Sequence, residues 1–339
     1  MKHTLTCDFC EHRCTLAEGK IGRCGIRQRK GDEIVTVNYG EHVSLSVDPV
    51  EKKPLYHFLP GSSTLSSALY GCNFTCDFCQ NCTISQPELF RSLRTHYIDP
   101  EELARDVSEG SHPSCAFTYS EPSVWQDYML DAGTEVHRRG GRNIMVTNGF
   151  FTPESLERYL PVIDAFNIDL KGDEGFYRKL CSAHVDPVVR NIRDIMAMQH
   201  APSSGGPNAA SPVVPHLEVT TMLLGEAHSR EEIQDLARIL DEAGVQVWHL
   251  SAFRPAYRMH SRAPTRESFV EEIYDWAREH TGIPHIYAFS SARPEFQNTY
   301  CPECGTEVIT RRGFALAENR LTAGCCPECG REIYGRFAA

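Results

Sequence analysis

Between residue 64 and about residue 291, short runs of continuous or alternating apolar residues are interleaved with longer stretches in which apolar positions recur every three or four residues. The short runs predict strands and the longer stretches predict amphipathic helices. Strands are predicted at 64–71, 115–119, 143–147, 165–170, 216–222 and 247–253, with a seventh candidate at 285–289. Helices are predicted at 100–109, 123–138, 153–159, 187–199, 230–243 and 266–281, several with Pro or Ser/Thr near their starts. Six or seven βα units in succession imply an α/β fold with a parallel sheet. Periodicity leaves open whether that sheet is doubly wound or rolled into a partial (β/α) barrel.

Three regions break the pattern. Residues 201–215, APSSGGPNAASPVVP, are rich in Pro, Ser, Gly and Ala and are expected to form a flexible surface insertion. Residues 1–63 are dense in Cys, Gly and charge and end at the turn signal Leu59-Pro60-Gly61-Ser62-Ser63. Residues 298–339 carry two near copies of a Cys-Pro-Glu-Cys-Gly knuckle. The expected division is therefore a four-cysteine metal-binding segment at 1–63, the α/β unit at 64–297, and C-terminal knuckles at 298–339.

Over 339 residues the chain is 41% hydrophobic and 23% charged, ordinary for a folded protein. A net charge of -11 gives no basic field to attract nucleic acid or anionic lipid. The start of the chain lacks the apolar centre of a signal peptide, and no run approaches the ~20 apolar residues of a membrane span. A cytoplasmic chain is expected. The C-terminal arginines Arg311, Arg312, Arg320, Arg331 and Arg336 read as a solvated face or a contact to a partner protein, and Lys52 and Lys53 as a solvated basic pair.

The fifteen cysteines change the picture, because most of them are grouped. Without a secretion signal such grouping reads as metal ligation rather than disulfides. Cys72-Asn-Phe-Thr-Cys76-Asp-Phe-Cys79 follows directly on the first predicted strand, in a loop at its carboxyl end, where βα proteins place active sites. Three local thiolates suit the corners of an iron–sulfur cube and leave one iron for a chelating amino-acid group. The alternative is a zinc knuckle completed by a distant His or by Cys82.

Cys7, Cys10, Cys14 and Cys24 supply four thiolates within eighteen residues, enough for zinc or for an auxiliary iron–sulfur cluster. Cys301, Cys304, Cys326 and Cys329 read as a zinc ribbon or rubredoxin-like site, with structural zinc preferred over a mononuclear redox iron. Cys115 and Cys181 are expected to be small buried residues. Alternation in the fifth predicted strand points Glu218 and Thr220 to one side, toward the same end as the cysteine loop, where Glu218 is a candidate cofactor contact. His249, Arg254 and Tyr257, at the end of the sixth, are candidate substrate contacts, with core packing an equal alternative for His249.

The central cysteines and their surroundings resemble the radical SAM superfamily. Phe78 takes the place of the aromatic residue that packs near the adenine, and Tyr119-Ser-Glu121-Pro122 stands where the family has a Gly-Gly-Glu type motif that receives the methionyl amino group. Thr147-Asn148-Gly149-Phe150 and Asp169-Leu170-Lys171 are similar to segments of glycyl-radical activating enzymes that line the S-adenosylmethionine (SAM) ribose and carboxylate. The implied fold is a partial (β/α)6 TIM-type barrel with small Cys-rich appendages at both ends. Within the superfamily the chain resembles the radical SAM enzyme of the AmmeMemoRadiSam system, related to pyruvate formate-lyase activating enzymes. That resemblance rests on the strings at 7–14, 48–61, 80–81 and 84–86 and on the C-terminal cysteine pairs. Cys82 in place of Trp, and Phe289-Ser290 in place of Gly-Asn, depart from it.

The resemblance implies an oxidoreductase that cleaves SAM reductively at a [4Fe–4S] cluster on Cys72, Cys76 and Cys79. The resulting 5′-deoxyadenosyl radical takes hydrogen from a substrate that the resemblance does not name. Reduced flavodoxin or ferredoxin is the implied electron donor, and Memo-like and AMME-type proteins are the implied partners. The shorter cysteine set of the N-terminal segment, beside the ferredoxin-like sets of activating enzymes with auxiliary clusters, tips that site toward zinc. Two other functions compete: activation of a glycyl-radical enzyme, and a non-catalytic iron–sulfur or zinc protein in electron transfer or regulation.

Overall fold

The computed structural model describes residues 4–200, 214–225, 227–289, 291 and 293–337. The main sheet is built from β1 (Glu41–Pro49), β2 (Ser63–Leu69), β3 (Ser114–Phe117), β4 (Arg142–Thr147), β5 (Ala165–Asp169), β6 (His216–Leu223), β7 (Val247–Ala252) and β8 (His285–Ala288), with the two-residue strand His96–Tyr97 at one edge. Strands β2 to β8 are parallel and adjacent in chain order, while β1 pairs antiparallel with β2. A doubly wound sheet would reverse direction at a switch point. This order never reverses, which is the winding of a partial barrel and matches the implied radical SAM α/β fold.

Six helices make the crossovers: α1 (Pro100–Glu109), α2 (Gln126–Arg138), α3 (Pro153–Tyr159), α4 (Asp186–His200), α5 (Arg230–Glu242) and α6 (Glu267–His280). Their starts are fixed locally. Asp99 accepts from the Glu101 amide, Thr152 from that of Ser155, and Ser229 with Glu232 forms a capping box. Helices on one face and filled interior on the other bury the parallel strands, so β3 and β8 contain only buried residues.

Strand β1 lies inside the segment expected to stand apart as residues 1–63. It gives the free edge of β2 a hydrogen-bond partner, so residues 41–49 belong to the barrel sheet. Its mixed pattern hid it, since Leu45 and Val47 lie beyond the stretch paired with His96–Tyr97 and are exposed. The cysteines before it sit among two small hairpins, Leu5–Thr6 with Thr15–Leu16 and Arg27–Lys30 with Glu33–Thr36. These dock on the β4–α3 loop and on α4: Thr152 Oγ1 donates to the Asp8 carbonyl at 2.5 Å, and Arg190 of α4 pairs with Glu11 at 2.7 Å.

At the other end, β9 (Thr299–Tyr300), β10 (Glu307–Arg312) and β11 (Ala315–Asn319) form an antiparallel sheet over a small core of Cys301, Val308, Ile309, Cys326 and Ile333. Arg311 corrects the expectation of a solvated arginine face. It is 1% exposed and donates to the carbonyls of Tyr56 and Gln297 and to Thr299 Oγ1, tying β10 to the base of the barrel. Most of the expected 201–215 insertion lies outside the described residues. No helix among the described residues is long and apolar enough to cross a membrane.

Candidate active site

Strand β2 ends at Leu69, and two residues later Gly71 turns the chain with φ of +118°. A side chain there would meet Ile26 at 3.0 Å, so glycine is required both for its conformation and for the close approach. The turn delivers Cys72-Asn-Phe-Thr-Cys76-Asp-Phe-Cys79 across the carboxyl ends of the strands. A π-helical turn at Tyr177–Cys181 grips this loop: Thr75 N donates to the Cys181 carbonyl at 3.2 Å and Asp77 N to that of Leu180 at 3.0 Å.

Cys72, Cys76 and Cys79 face one cavity of about 660 Å³, within the range of small-molecule sites. Phe74 and Phe78 line it beside them, and Phe78 packs on Phe176 with ring centroids 5.6 Å apart. The Phe74 amide donates to Cys72 Sγ at 3.4 Å, and Ser85 Oγ lies 3.1 Å from Cys79 Sγ. Burial pushes the Cys72 and Cys79 thiols up, and the adjacent Cys181 thiol together with burial does the same to Cys76. Three desolvated thiols ionise only when a cation replaces the lost water, which is what the irons of a cluster supply.

Of the other predicted residues, Tyr119, Glu121, Asn148, Asp169 and Lys171 all line the same cavity. Glu121 is 2% exposed and accepts from Thr147 Oγ1 at 2.6 Å, Asn148 N at 2.8 Å and Ser123 N at 3.1 Å. Burial raises its pKa, and its Oε2 keeps room for one further donor. Asn148 donates to Asn73 Oδ1 at 2.7 Å, with the following Gly149 at φ of +71°. A side chain at Gly149 would collide with Ile168 at 2.7 Å. Lys171 Nζ lies 2.7 Å from Asp169. Burial opposes its charge, but Asp169 and Cys76 hold the ammonium well above the usual lysine range.

Glu218 is not brought to the cavity. It does share a face with Thr220, which lines the cavity, but sits one layer deeper and is fully buried. Its carboxylate accepts from the amides of Tyr56 and His57 at 3.0 and 2.8 Å, and is bonded to His216 and His249 at 2.9 and 2.6 Å. Burial works against its charge, but the two histidines hold it well below the usual carboxylate range. His249 is therefore part of the barrel floor, Arg254 lines the cavity, and Tyr257 turns away to bond Glu88 at 2.5 Å.

Lys53 also departs from expectation. It is 1% exposed, pairs with Asp48 at 2.8 Å and lies over the Tyr119 ring at 4.3 Å. Burial, resisted by Asp48, brings its pKa down to about 8. Asp48 also accepts from Lys52, Ser66 and the Tyr119 hydroxyl. Tyr119 itself has φ of +69°, a costly conformation for a bulky residue, held here by that hydroxyl contact. Lys52, Lys53, Lys171 and Arg254 against Glu121 and Asp169 make the cavity wall cationic within an acidic chain. Such a wall favours thiolates and anionic groups.

Phe314 and Phe289 complete the mouth of the cavity. Phe314 comes from the turn between β10 and β11, and only long-range packing brings it there. The partner position of the Phe289-Ser290 departure, Ser290, lies outside the described residues. Cys82 opens a short helix at Cys82–Ser85 and does not line the cavity, whereas Cys115 and Cys181 are fully buried as expected.

Both flanking cysteine sets converge. Cys7, Cys10, Cys14 and Cys24 line one small cavity under the barrel loops. Cys301, Cys304, Cys326 and Cys329 bring their sulfurs within 4.8 Å of one another, with Cys301 and Cys329 at 3.5 Å and Cys304 and Cys326 at 3.6 Å.

A family model described as the Radical SAM superfamily matches residues 67–204, from the end of β2 through α4. An uncharacterized protein of Methanocaldococcus jannaschii, MJ0808, is 34% identical over 314 residues, covering 91% of this chain and 87% of its own. Among solved structures, Streptococcus suis SuiB bound to S-adenosylmethionine superposes with a TM-score of 0.50 at 11% identity, over 75% of this chain and 56% of that one. This chain thus spans little more than half the length of SuiB. A domain of a pyruvate-formate lyase-activating enzyme from Bacteroides vulgatus gives a TM-score of 0.42 at 13% identity, over 51% of this chain and 96% of that domain. With three cysteines on the loop after the first parallel strand and a family match that begins at that strand, the chain belongs to the radical SAM superfamily, enzymes that work with a [4Fe–4S] cluster and SAM.

Proposed function

We propose that the chain binds SAM in the cavity at the carboxyl ends of β2 to β7 and cleaves it reductively, and that the 5′-deoxyadenosyl radical so formed takes a hydrogen atom from a second molecule. One observation carries this reading: Cys72, Cys76 and Cys79 share a single cavity with Glu121, Asn148, Asp169 and Lys171. When bound, a [4Fe–4S] cluster supplies the electron and an iron site that an amino acid can chelate.

The chain's own groups do the positioning. Phe74 and Phe78 keep water from the cysteine loop. Glu121 Oε2 is chemically suited to accept from the methionyl ammonium, and Lys171 to donate to the methionyl carboxylate. Asp169 and Thr220 are suited to the ribose hydroxyls. The mouth between Arg254, Phe289 and Phe314 is the entry for the hydrogen donor.

The subgroup assignment to the AmmeMemoRadiSam radical SAM enzymes is supported by the placement of its characteristic strings. Residues 48–61 supply Asp48, Lys52 and Lys53 beneath the cavity, and residues 80–81 lie on its wall. Flavodoxin or ferredoxin as electron donor and Memo-like and AMME-type partners belong to the same proposal. At the C-terminal quartet the sulfur spacing is that of four ligands around one ion at ~2.3 Å, which supports a structural zinc. Anaerobic reconstitution with iron and sulfide, reduction with dithionite and assay of 5′-deoxyadenosine test the reading. A reduced, cluster-loaded chain that leaves SAM intact would overturn it.

A further inference from the structure

Cys7, Cys10, Cys14 and Cys24 are contributed by two turns separated by the strand Thr15–Leu16, yet they surround one small enclosed space. Cys7, Cys10 and Cys24 are 6–8% exposed, and Arg23, Arg27 and His12 border the same space. The Arg27 guanidinium is held by Asp127 at 3.1 Å and lies 3.6 Å over the Phe9 ring. Its Nε is buried without a partner.

Asn73 also lines this space, and it is the neighbour of Cys72 in the chain. Its carbonyl bonds His12 Nε2 at 2.9 Å and its Oδ1 accepts from Asn148 at 2.7 Å, while its Nδ2 is buried without a partner on the four-cysteine side. One residue thus joins the wall of the N-terminal quartet to the active-site loop. The C-terminal quartet differs on both counts. Its sulfurs are already gathered at single-ion spacing, and Cys304 and Cys329 are exposed.

We propose that Cys7, Cys10, Cys14 and Cys24 hold a second iron–sulfur cluster, a [4Fe–4S] cube, and that the zinc preferred from sequence does not occupy this site. The buried Arg27 Nε and Asn73 Nδ2 are unspent donors beside a site whose thiolates and sulfides are acceptors, and such hydrogen bonds tune cluster potentials. The position one residue from Cys72 makes the cluster the entry for electrons. One electron from a low-potential one-electron donor protein takes its core from the 2+ to the 1+ state, and the same electron passes on toward the Cys72 loop, restoring 2+. No atoms are exchanged.

The inference does not depend on SAM cleavage and is read from metal and sulfide. The 339-residue chain carrying Cys72→Ala, Cys76→Ala and Cys79→Ala is reconstituted anaerobically with ferrous iron and sulfide. It should retain about four acid-labile sulfides per chain and show the paramagnetic signal of a reduced cluster, both abolished by adding Cys7→Ala and Cys24→Ala. Sulfide is decisive because a mononuclear iron or zinc at the C-terminal quartet binds none. A folded triple variant that takes up zinc and no sulfide overturns the proposal. Should the triple variant fail to fold, the wild-type count decides: about eight sulfides per chain supports a second cluster and about four overturns it.

Discussion

Thr147 Oγ1 donates to Glu121 at 2.6 Å, joining the end of β4 to the loop that follows β3. The same carboxylate takes the amides of Asn148 and Ser123, so one buried group fixes two strand-end loops of the cavity. Glu121→Gln replaces an acceptor facing the Asn148 amide with a group that can donate there. It should cost about 1–3 kcal/mol of stability and weaken SAM binding. The sign of its pH effect is opposite to that of a salt-bridged acid. Burial raises the pKa of Glu121, so its share of stability is full below the unfolded value near 4.5 and is lost as pH rises through the folded value. Denaturant unfolding across that range should show the slope in wild type and lose it in the variant.

Glu218 behaves in the reverse sense. Its pKa is held well below 4.5, so its contribution is present above the unfolded value and lost as pH falls through the folded one. Glu218→Ala would strand His216, His249 and the amides of Tyr56 and His57 in the interior. A loss of about 3–5 kcal/mol is expected, measured by urea unfolding at neutral pH. A variant that unfolds like wild type would remove Glu218 from the barrel floor.

Lys171 tests the SAM-facing wall. Lys171→Met keeps the length of the side chain but removes a charge-assisted donor worth about 1.5–3 kcal/mol. SAM should bind about ten- to a hundredfold more weakly by isothermal titration, with the visible absorbance of the reconstituted cluster unchanged. Loss of the absorbance would place Lys171 in the support of the cysteine loop instead.

At the C-terminal quartet, Cys304→Ala should release about one equivalent of zinc per chain by elemental analysis. Because ligand assembly and folding are coupled at such sites, the apparent melting temperature should fall as well. Iron in place of zinc, without sulfide, would identify a mononuclear redox site.

Much of this was legible in the sequence, for identifiable reasons. Parallel strands buried on both faces and helices with strong caps announce themselves locally, as at Pro100–Glu109 and Pro153–Tyr159. The cysteine loop was legible from its spacing after the first strand, and its strand-end neighbours from their resemblance to radical SAM segments at the ends of successive strands. What escaped was non-local. β1 leaves Leu45 and Val47 exposed, Lys53 is drawn inside over the ring of Tyr119 in the loop after β3, and Phe314 reaches the cavity from a different sheet. Glu218 shows the limit of alternation, which assigns a side chain to a face and says nothing of its depth.

The central claim is that the site formed by Cys72, Cys76 and Cys79 breaks SAM with one electron. The most direct measurement is the yield of 5′-deoxyadenosine and methionine from SAM by anaerobically reconstituted, dithionite-reduced chain, beside Cys76→Ala treated identically. Equal amounts of the two products from wild type, and neither from the variant, are predicted. Intact SAM in the presence of a demonstrably reduced cluster on these cysteines would contradict the account.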